Sequence, residues 1–405
     1  MKGEVIMKRF NIVFLSLLFL ATAAFLFNCE NKYPSSLWDP DAATKPQPVI
    51  QQVIPADSAY AGISEIIIKG QNFSPVPEYN LVFFSGNKAL VIAATETQLT
   101  IRAPKITGSD LELKIAVHEA ELFSDPVNYK LLPAVSITGN LAENEEMGYA
   151  IAVDNDGNVY VSIDGKKIKK IDAQGTTTLL ADVSFLKANG MKMGPDNVLY
   201  VTFAAGRLRK VATISMDGTE QDYASLPAAP EDLDFDANGN IWVTSLQDVY
   251  LVKTDQSVTK IKTFPLTLKS IRVFNGNVYV SGFDQTSGEA KIYRAPIQDE
   301  TLGDEEVVFD IAAADWLSGV TVNSFTFSAD GKIFLATGKS PDAIFIYNPD
   351  TGTHENLYPE LVGPNIYAFT WSNDNFIYAV QQLTGASNVL KIKMFENGAP
   401  YYGRQ

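Results

Sequence analysis

The chain has 405 residues, with 47 acidic side chains against 32 basic ones and a formal charge of −15. A field of that sign repels phosphate backbones and argues against nucleic acid as a partner. One cysteine leaves no intrachain disulfide to form, and two histidines in 405 residues support neither a zinc cluster nor a histidine-based nucleophilic triad.

At the N-terminus, Lys8 and Arg9 lead into an apolar stretch over 12–27, too short and wrongly flanked for a membrane span, which predicts a secretory signal over residues 1–28. The stretch stops at Cys29 in the phrase LFNC, which resembles a bacterial lipoprotein processing site. That resemblance implies a lipid on Cys29 and an extracytoplasmic protein at the outer membrane or cell surface of a diderm bacterium. Losing residues 1–28, which carry Lys2, Lys8 and Arg9 against Glu4, would take the formal charge from −15 to −17. Residues 29–47 are polar, proline-bearing and aperiodic, so they are expected to be a flexible tether, reaching roughly 50 Å if extended. Trp38 within it is expected to dock on the following domain.

From 48 to 132 the segments EIIIKGQNF, NLVFFSG, KALVIAA, QLTIRAP and LELKIAV alternate and are broken by Gly, Pro and Asn, which predicts a small β-sandwich. Gly70-Gln71-Asn72-Phe73, with Pro55 and Gly62 before it and Pro104 after, resembles the IPT/TIG family of immunoglobulin-like domains. The resemblance implies a spacer or interaction module without chemistry; His118 lies here.

The remainder, 133–405, repeats itself. DFDANGNIWVTS, beginning at Asp234, has relatives in DNDGNVYVS at 154, GPDNVLYVT at 194, FNGNVYVS at 274, SADGKIFLA at 328 and SNDNFIYAV at 372. The Asp-rich opening imitates a calcium loop, but no helices flank it and Ser245 stands where a bidentate glutamate should close the shell. A hairpin turn at Asn238-Gly239 explains it better. Aromatic anchors at Tyr160, Tyr200, Trp242, Tyr279, Phe334 and Tyr378 recur at intervals of 40, 42, 37, 55 and 44 residues. That is the length of a four-stranded propeller blade, with an insertion in the fourth unit. One aromatic at the same strand position in every unit is what packing between sheets requires, so these six are assigned to the core. The fold class is therefore all-β, a small Ig-like sandwich followed by a six-bladed β-propeller. AVSITG at 134–139 is placed to close the ring beside NVLKIKM at 388–394.

The blade phrase resembles the NHL and SMP-30/gluconolactonase-like propellers. Eleven residues before each anchor, adjusted by one in the fourth unit, stand Tyr149, Asn189, Glu231, Lys269, Asn323 and Tyr367, a polar ring expected at the channel mouth. It suits a glycan or another surface polymer, or equally a protein partner, although inner-strand ends are also polar merely because a channel is wet. The enzymatic alternative implied by the resemblance is a metal-dependent lactonase or esterase, with a divalent cation such as calcium on Asn189, Glu231 and Asp232. Tyr149 stands where that family places a glutamate, and Glu145 and Glu146 are the nearby substitutes. No catalytic residue and no cofactor are otherwise indicated.

Overall fold

The computed structural model describes residues 44–404; the signal segment, Cys29 and Trp38 lie outside the described residues. The first domain is a sandwich of two sheets. One takes Val49–Ile54, Glu65–Gln71, Gln98–Arg102 and Leu90–Ala94 in spatial order, the other Ser58–Tyr60, Val127–Leu132, Gly108–Val117, Asn80–Phe84 and Asn87–Lys88. Alternation along these strands sends Ile66, Ile68, Val82, Phe84, Leu99, Ile101, Leu113 and Ile115 into a fully buried core.

The Gly-x-Asn-Phe phrase has a physical cause. A Cβ on Gly70 would sit 1.9 Å from the Val49 carbonyl oxygen and 2.5 Å from the Phe73 ring. Asn72 takes the left-handed conformation, φ 63°, which Asn tolerates, and so turns the buried Phe73 back against Gly70. Of the segment expected to be a tether, the last residues are bonded to the sandwich. Lys45 donates its backbone N–H to the Glu119 carbonyl at 2.8 Å and pairs with its carboxylate at 2.8 Å, while the Gln47 carbonyl accepts from Asn72 Nδ2 at 2.8 Å. The segment is on the sandwich from Lys45 onward.

The second domain is a ring of six four-stranded sheets, the fourth carrying an added two-residue strand. Their innermost strands are Gly148–Val153, Gly190–Gly194, Pro230–Phe235, Thr267–Phe274, Val322–Phe327 and Ile366–Trp371. Closure is by the expected segment: Val135–Thr138 pairs antiparallel with Ser387–Lys393, Val135 opposite Ile392 and Thr138 opposite Val389, so the outer strand of blade six comes from the start of the domain. The insertion in the fourth unit lengthens the strand Ala290–Gln298, adds Thr301–Leu302 and extends the connection after Glu306–Asp310.

Each anchor packs forward onto the next blade. Tyr160 clusters with Met191 and Leu199 of blade two, Tyr200 with Leu233 and Ile241 of blade three, and Trp242 with Ile271 and Val278 of blade four. Tyr279 then meets Phe325 and Ile333, Phe334 meets Ile366 and Phe369, and Tyr378 of blade six returns to Ile151 and Val159 of blade one. A sheet whose second face would otherwise be wet is thus covered by its neighbour, which is why the ring is the stable unit.

The repeated turn differs from the expected two-residue hairpin. Phe235 pairs with Ile241, leaving a five-residue loop in which only Gly239 has positive φ, 79°, whereas a type I′ turn needs two such residues. Asp236 organises it: its carboxylate accepts from the N–H of Asn238 and of Asn240, from Asn240 Nδ2, and from the indole Nε1 of Trp242 at 3.0 Å. Asp154 does the same for Tyr160, whose hydroxyl it accepts at 2.9 Å. Asp236 and Asp154 are therefore occupied by their own turns, while Asp234 turns to the channel and bonds the next blade. Asp236→Ala would strand the buried indole N–H and is expected to lower unfolding free energy by about 1–3 kcal/mol in a denaturant titration, with the fold retained.

The two domains join through residues 133–134 and touch at the outer flank of blades five and six. Lys105 pairs with Glu360, and the rings of Tyr60 and Phe395 meet edge-on at 5.6 Å. The innermost strands, and the channel they line, stay clear of the sandwich.

Candidate functional site at the channel mouth

The six ring residues occupy equivalent places at the start of the inner strands, because all six sheets share one register relative to their anchors. Tyr149 and Tyr367 meet edge-to-face, centroids 5.9 Å apart at 88°. The Lys269 ammonium lies 5.8 Å from the Tyr367 ring centroid and forms a hydrogen-bonded ion pair with Glu231. The asparagines are partly committed to the backbone, Asn189 Nδ2 donating to the Pro230 carbonyl at 2.8 Å and Asn323 Nδ2 to the Ile366 carbonyl at 2.9 Å. Each pins its blade to the next and keeps its side-chain oxygen for other uses.

Below the ring, blades two, three and four place Lys192, Asp232, Asp234 and Arg272 on their inner strands. Asp232 accepts from Ser270 Oγ at 2.9 Å, from the Ile271 N–H at 3.2 Å and from Arg272 Nη1 at 2.8 Å. Burial pushes its carboxyl up, but Arg272, Lys192 and those hydrogen bonds together outweigh burial and hold it below its ordinary value. One step deeper, Asp234 accepts the Val273 N–H at 2.9 Å, and there burial wins over Lys192 and Arg272, so its carboxyl is raised. Arg272 Nη2 reaches Ser324 Oγ at 3.2 Å. A cavity of about 40 Å³ remains between Asn189, Asp232, Lys269, Arg272, Asn323 and Tyr367.

The far end is capped by the C-terminal segment. Ala399 N–H donates to the Phe327 carbonyl at 2.9 Å, the Tyr401 hydroxyl donates to the Met193 carbonyl at 2.7 Å, and a short 3-10 turn follows over Tyr402–Arg404. A second small cavity, about 40 Å³, remains there between Lys192, Asp234, Arg272 and Tyr401.

The residues do not fit a hard dication. Glu231 is neutralised by Lys269 and Asp232 by Arg272. Asn189 has one oxygen to offer. Glu146 is paired with Lys169 at 2.9 Å, and Glu145 is exposed on the connecting loop. A divalent ion would have to displace two ammonium or guanidinium partners and then sit beside them, which Coulomb repulsion opposes. No step is derived through such an ion.

Two features are invisible in the sequence. Lys187, on the loop before blade two, lies over the Tyr149 ring with its nitrogen 4.0 Å from the centroid. Only its proximity to Tyr149 in space reveals it. The second is a cleft of about 290 Å³ between blades four and five, lined by Lys269, Ser281, Phe283, Glu289, Leu317 and Val322. It is built by the fourth unit's insertion, whose length the sequence displays but whose course it does not.

Comparison with solved structures supports the architecture. An auxiliary nutrient binding protein from Bacteroides thetaiotaomicron VPI-5482 is 12% identical, with a TM-score of 0.52 over 87% of this chain and 98% of its own. Another auxiliary nutrient binding protein, from Bacteroides ovatus ATCC 8483, is 13% identical, with a TM-score of 0.51 over 85% and 98%. A candidate gluconolactonase is 12% identical, with a TM-score of 0.53 over 66% of this chain and 94% of its own. At such identities the likeness is one of fold. A comparison with curated proteins finds no match. Residues 48–131 match the IPT/TIG domain model, so the chain is an IPT/TIG sandwich followed by a β-propeller whose structural neighbours include nutrient-binding and gluconolactonase-like proteins.

Proposed function

We propose that this is a lipid-anchored extracytoplasmic binding protein, held by Cys29 at the outer membrane of a diderm bacterium, whose propeller mouth takes a glycan or another surface polymer while the sandwich acts as spacer. The observation that carries the reading is the Tyr149–Tyr367 pair at the mouth of the channel. The edge-to-face pair at 88° offers aromatic surface to a sugar, while the side-chain oxygens of Asn189 and Asn323 accept its hydroxyls. The pairing of Glu231 and Asp232 with cations supports binding over metal-dependent hydrolysis. The fold shared with auxiliary nutrient binding proteins accords with it.

A glycan array probed with residues 44–405 is the direct test. Tyr149→Ala and Tyr367→Ala are each expected to weaken the best hit about tenfold or more, roughly 1.4 kcal/mol, without shifting the melting temperature of the propeller by more than a few degrees. An empty array would turn the assignment to a protein partner. A stoichiometric divalent ion together with lactone hydrolysis, both lost in Asn189→Ala and Glu231→Ala, would overturn it.

A further inference from the structure

We infer that the mouth selects an anionic ligand, a polymer whose sugar rings carry carboxylate or sulfate, and that Lys187 is the residue that pairs with the acid group. The inference rests on the glycan reading above and narrows it.

Lys187 is the exception among the mouth's charges. Lys269 is matched by Glu231 and Arg272 by Asp232, whereas the Lys187 ammonium has a ring beneath it and, among the described residues, no hydrogen-bond acceptor and no carboxylate within pairing distance. Burial and the nearby Lys269 lower its pKa, with Glu231 opposing them, so an arriving anion would relieve a strained charge.

The loop that carries it is held on all sides. Phe185 is fully buried and stacks on Phe203 at 4.4 Å. The Glu220 carboxylate accepts the Ser184 N–H at 2.7 Å and its hydroxyl at 2.6 Å, and the Ala188 N–H donates to Ser162 Oγ at 2.9 Å. These contacts fix the backbone from which the Lys187 side chain starts, so its flexible stem begins beside Tyr149 whether or not a ligand is present.

Locally the formal charges balance: Lys187, Lys192, Lys269 and Arg272 stand against Asp164, Glu231, Asp232 and Asp234, and the last of these has its carboxyl raised, which tips the balance toward the cations. The −15 of the whole chain is spread over its surface and screened beyond about 8 Å in physiological salt. Over the few ångströms between a bound sugar and Lys187 the near charges decide. A sugar held at the Tyr149–Tyr367 pair would bring a ring carboxylate within reach of the ammonium, which lies 4.0 Å over the Tyr149 ring.

The test uses residues 44–405 titrated with purified polyuronate, sulfated polysaccharide and a neutral glucan at 0.05 and 0.3 M NaCl. The expected result is binding of an acidic polymer that weakens with salt and falls about tenfold or more in Lys187→Gln, with partial rescue in Lys187→Arg; Lys166→Gln serves as a control on a neighbouring loop and leaves affinity unchanged. Neutral polymers binding as tightly as acidic ones, or Lys187→Gln binding like the parent, would overturn the charge assignment while leaving the glycan reading standing. If no polymer of any class binds, both fall together.

Discussion

Arg272→Met is expected to remove about 3–5 kcal/mol of propeller stability, because it leaves Asp232 buried without its partner. The guanidinium serves Asp232 Oδ2 at 2.8 Å and Ser324 Oγ at 3.2 Å, and the side chains of Arg272 and Asp232 are only 8% and 14% exposed, so water cannot replace what is lost. The pH dependence should change sign with it. In the parent, Asp232 has a lowered pKa and contributes stability above its ordinary value of 3.8, lost as pH falls through the folded value. Asp234 is raised, so its contribution is present below 3.8 and lost as pH rises through the folded value. The two oppose each other. Without Arg272 the strongest influence holding the Asp232 carboxyl down is gone, so the deficit of the variant should be larger at about pH 7 than at about pH 5. Denaturant titrations at the two pH values check this. A deficit independent of pH would mean the channel charges are not coupled as the geometry implies. The double variant Asp232→Asn, Arg272→Met should recover part of the loss, since neither charge is then left alone.

The second large effect concerns closure. A chain beginning at Pro133 is expected to fold, because it keeps Val135–Thr138 against Ser387–Lys393, while one beginning at Asn140 should lose roughly 2–6 kcal/mol from the missing ladder and expose the edge of blade six to pairing with other copies. Far-ultraviolet circular dichroism melts and sedimentation separate the outcomes. Equal melting of the two truncations would show that the ring closes by packing of Tyr378 on blade one, with the shared sheet adding nothing. Loss of the sandwich alone removes the Lys105–Glu360 pair, a surface contact worth little.

The residue-level lessons differ between scaffold and site. The anchors Tyr160 through Tyr378, the closing segment and the Gly70–Phe73 phrase are legible because each obeys a local rule: strand alternation, blade length, or a glycine demanded by an approaching carbonyl. The ring Tyr149, Asn189, Glu231, Lys269, Asn323 and Tyr367 is legible as a register. Its chemistry is not, since the sequence says nothing of Asn189 spending its amide on Pro230 or Glu231 on Lys269. At Asp236 the dipeptide Asn238-Gly239 favours a two-residue hairpin, yet an aspartate gathering three backbone and side-chain donors and an indole outweighs that preference.

Periodicity is a property of neighbours along the chain, and it suffices to determine six sheets, their order and their inward faces. What the inward faces hold depends on residues far apart in the chain meeting across a ring: Asp232 with Arg272, Tyr149 with Tyr367, and Lys187 with the Tyr149 ring. Only closure brings them within reach of one another. Coulomb and desolvation energies change steeply over those few ångströms, so the tertiary structure alone decided which charges cancel.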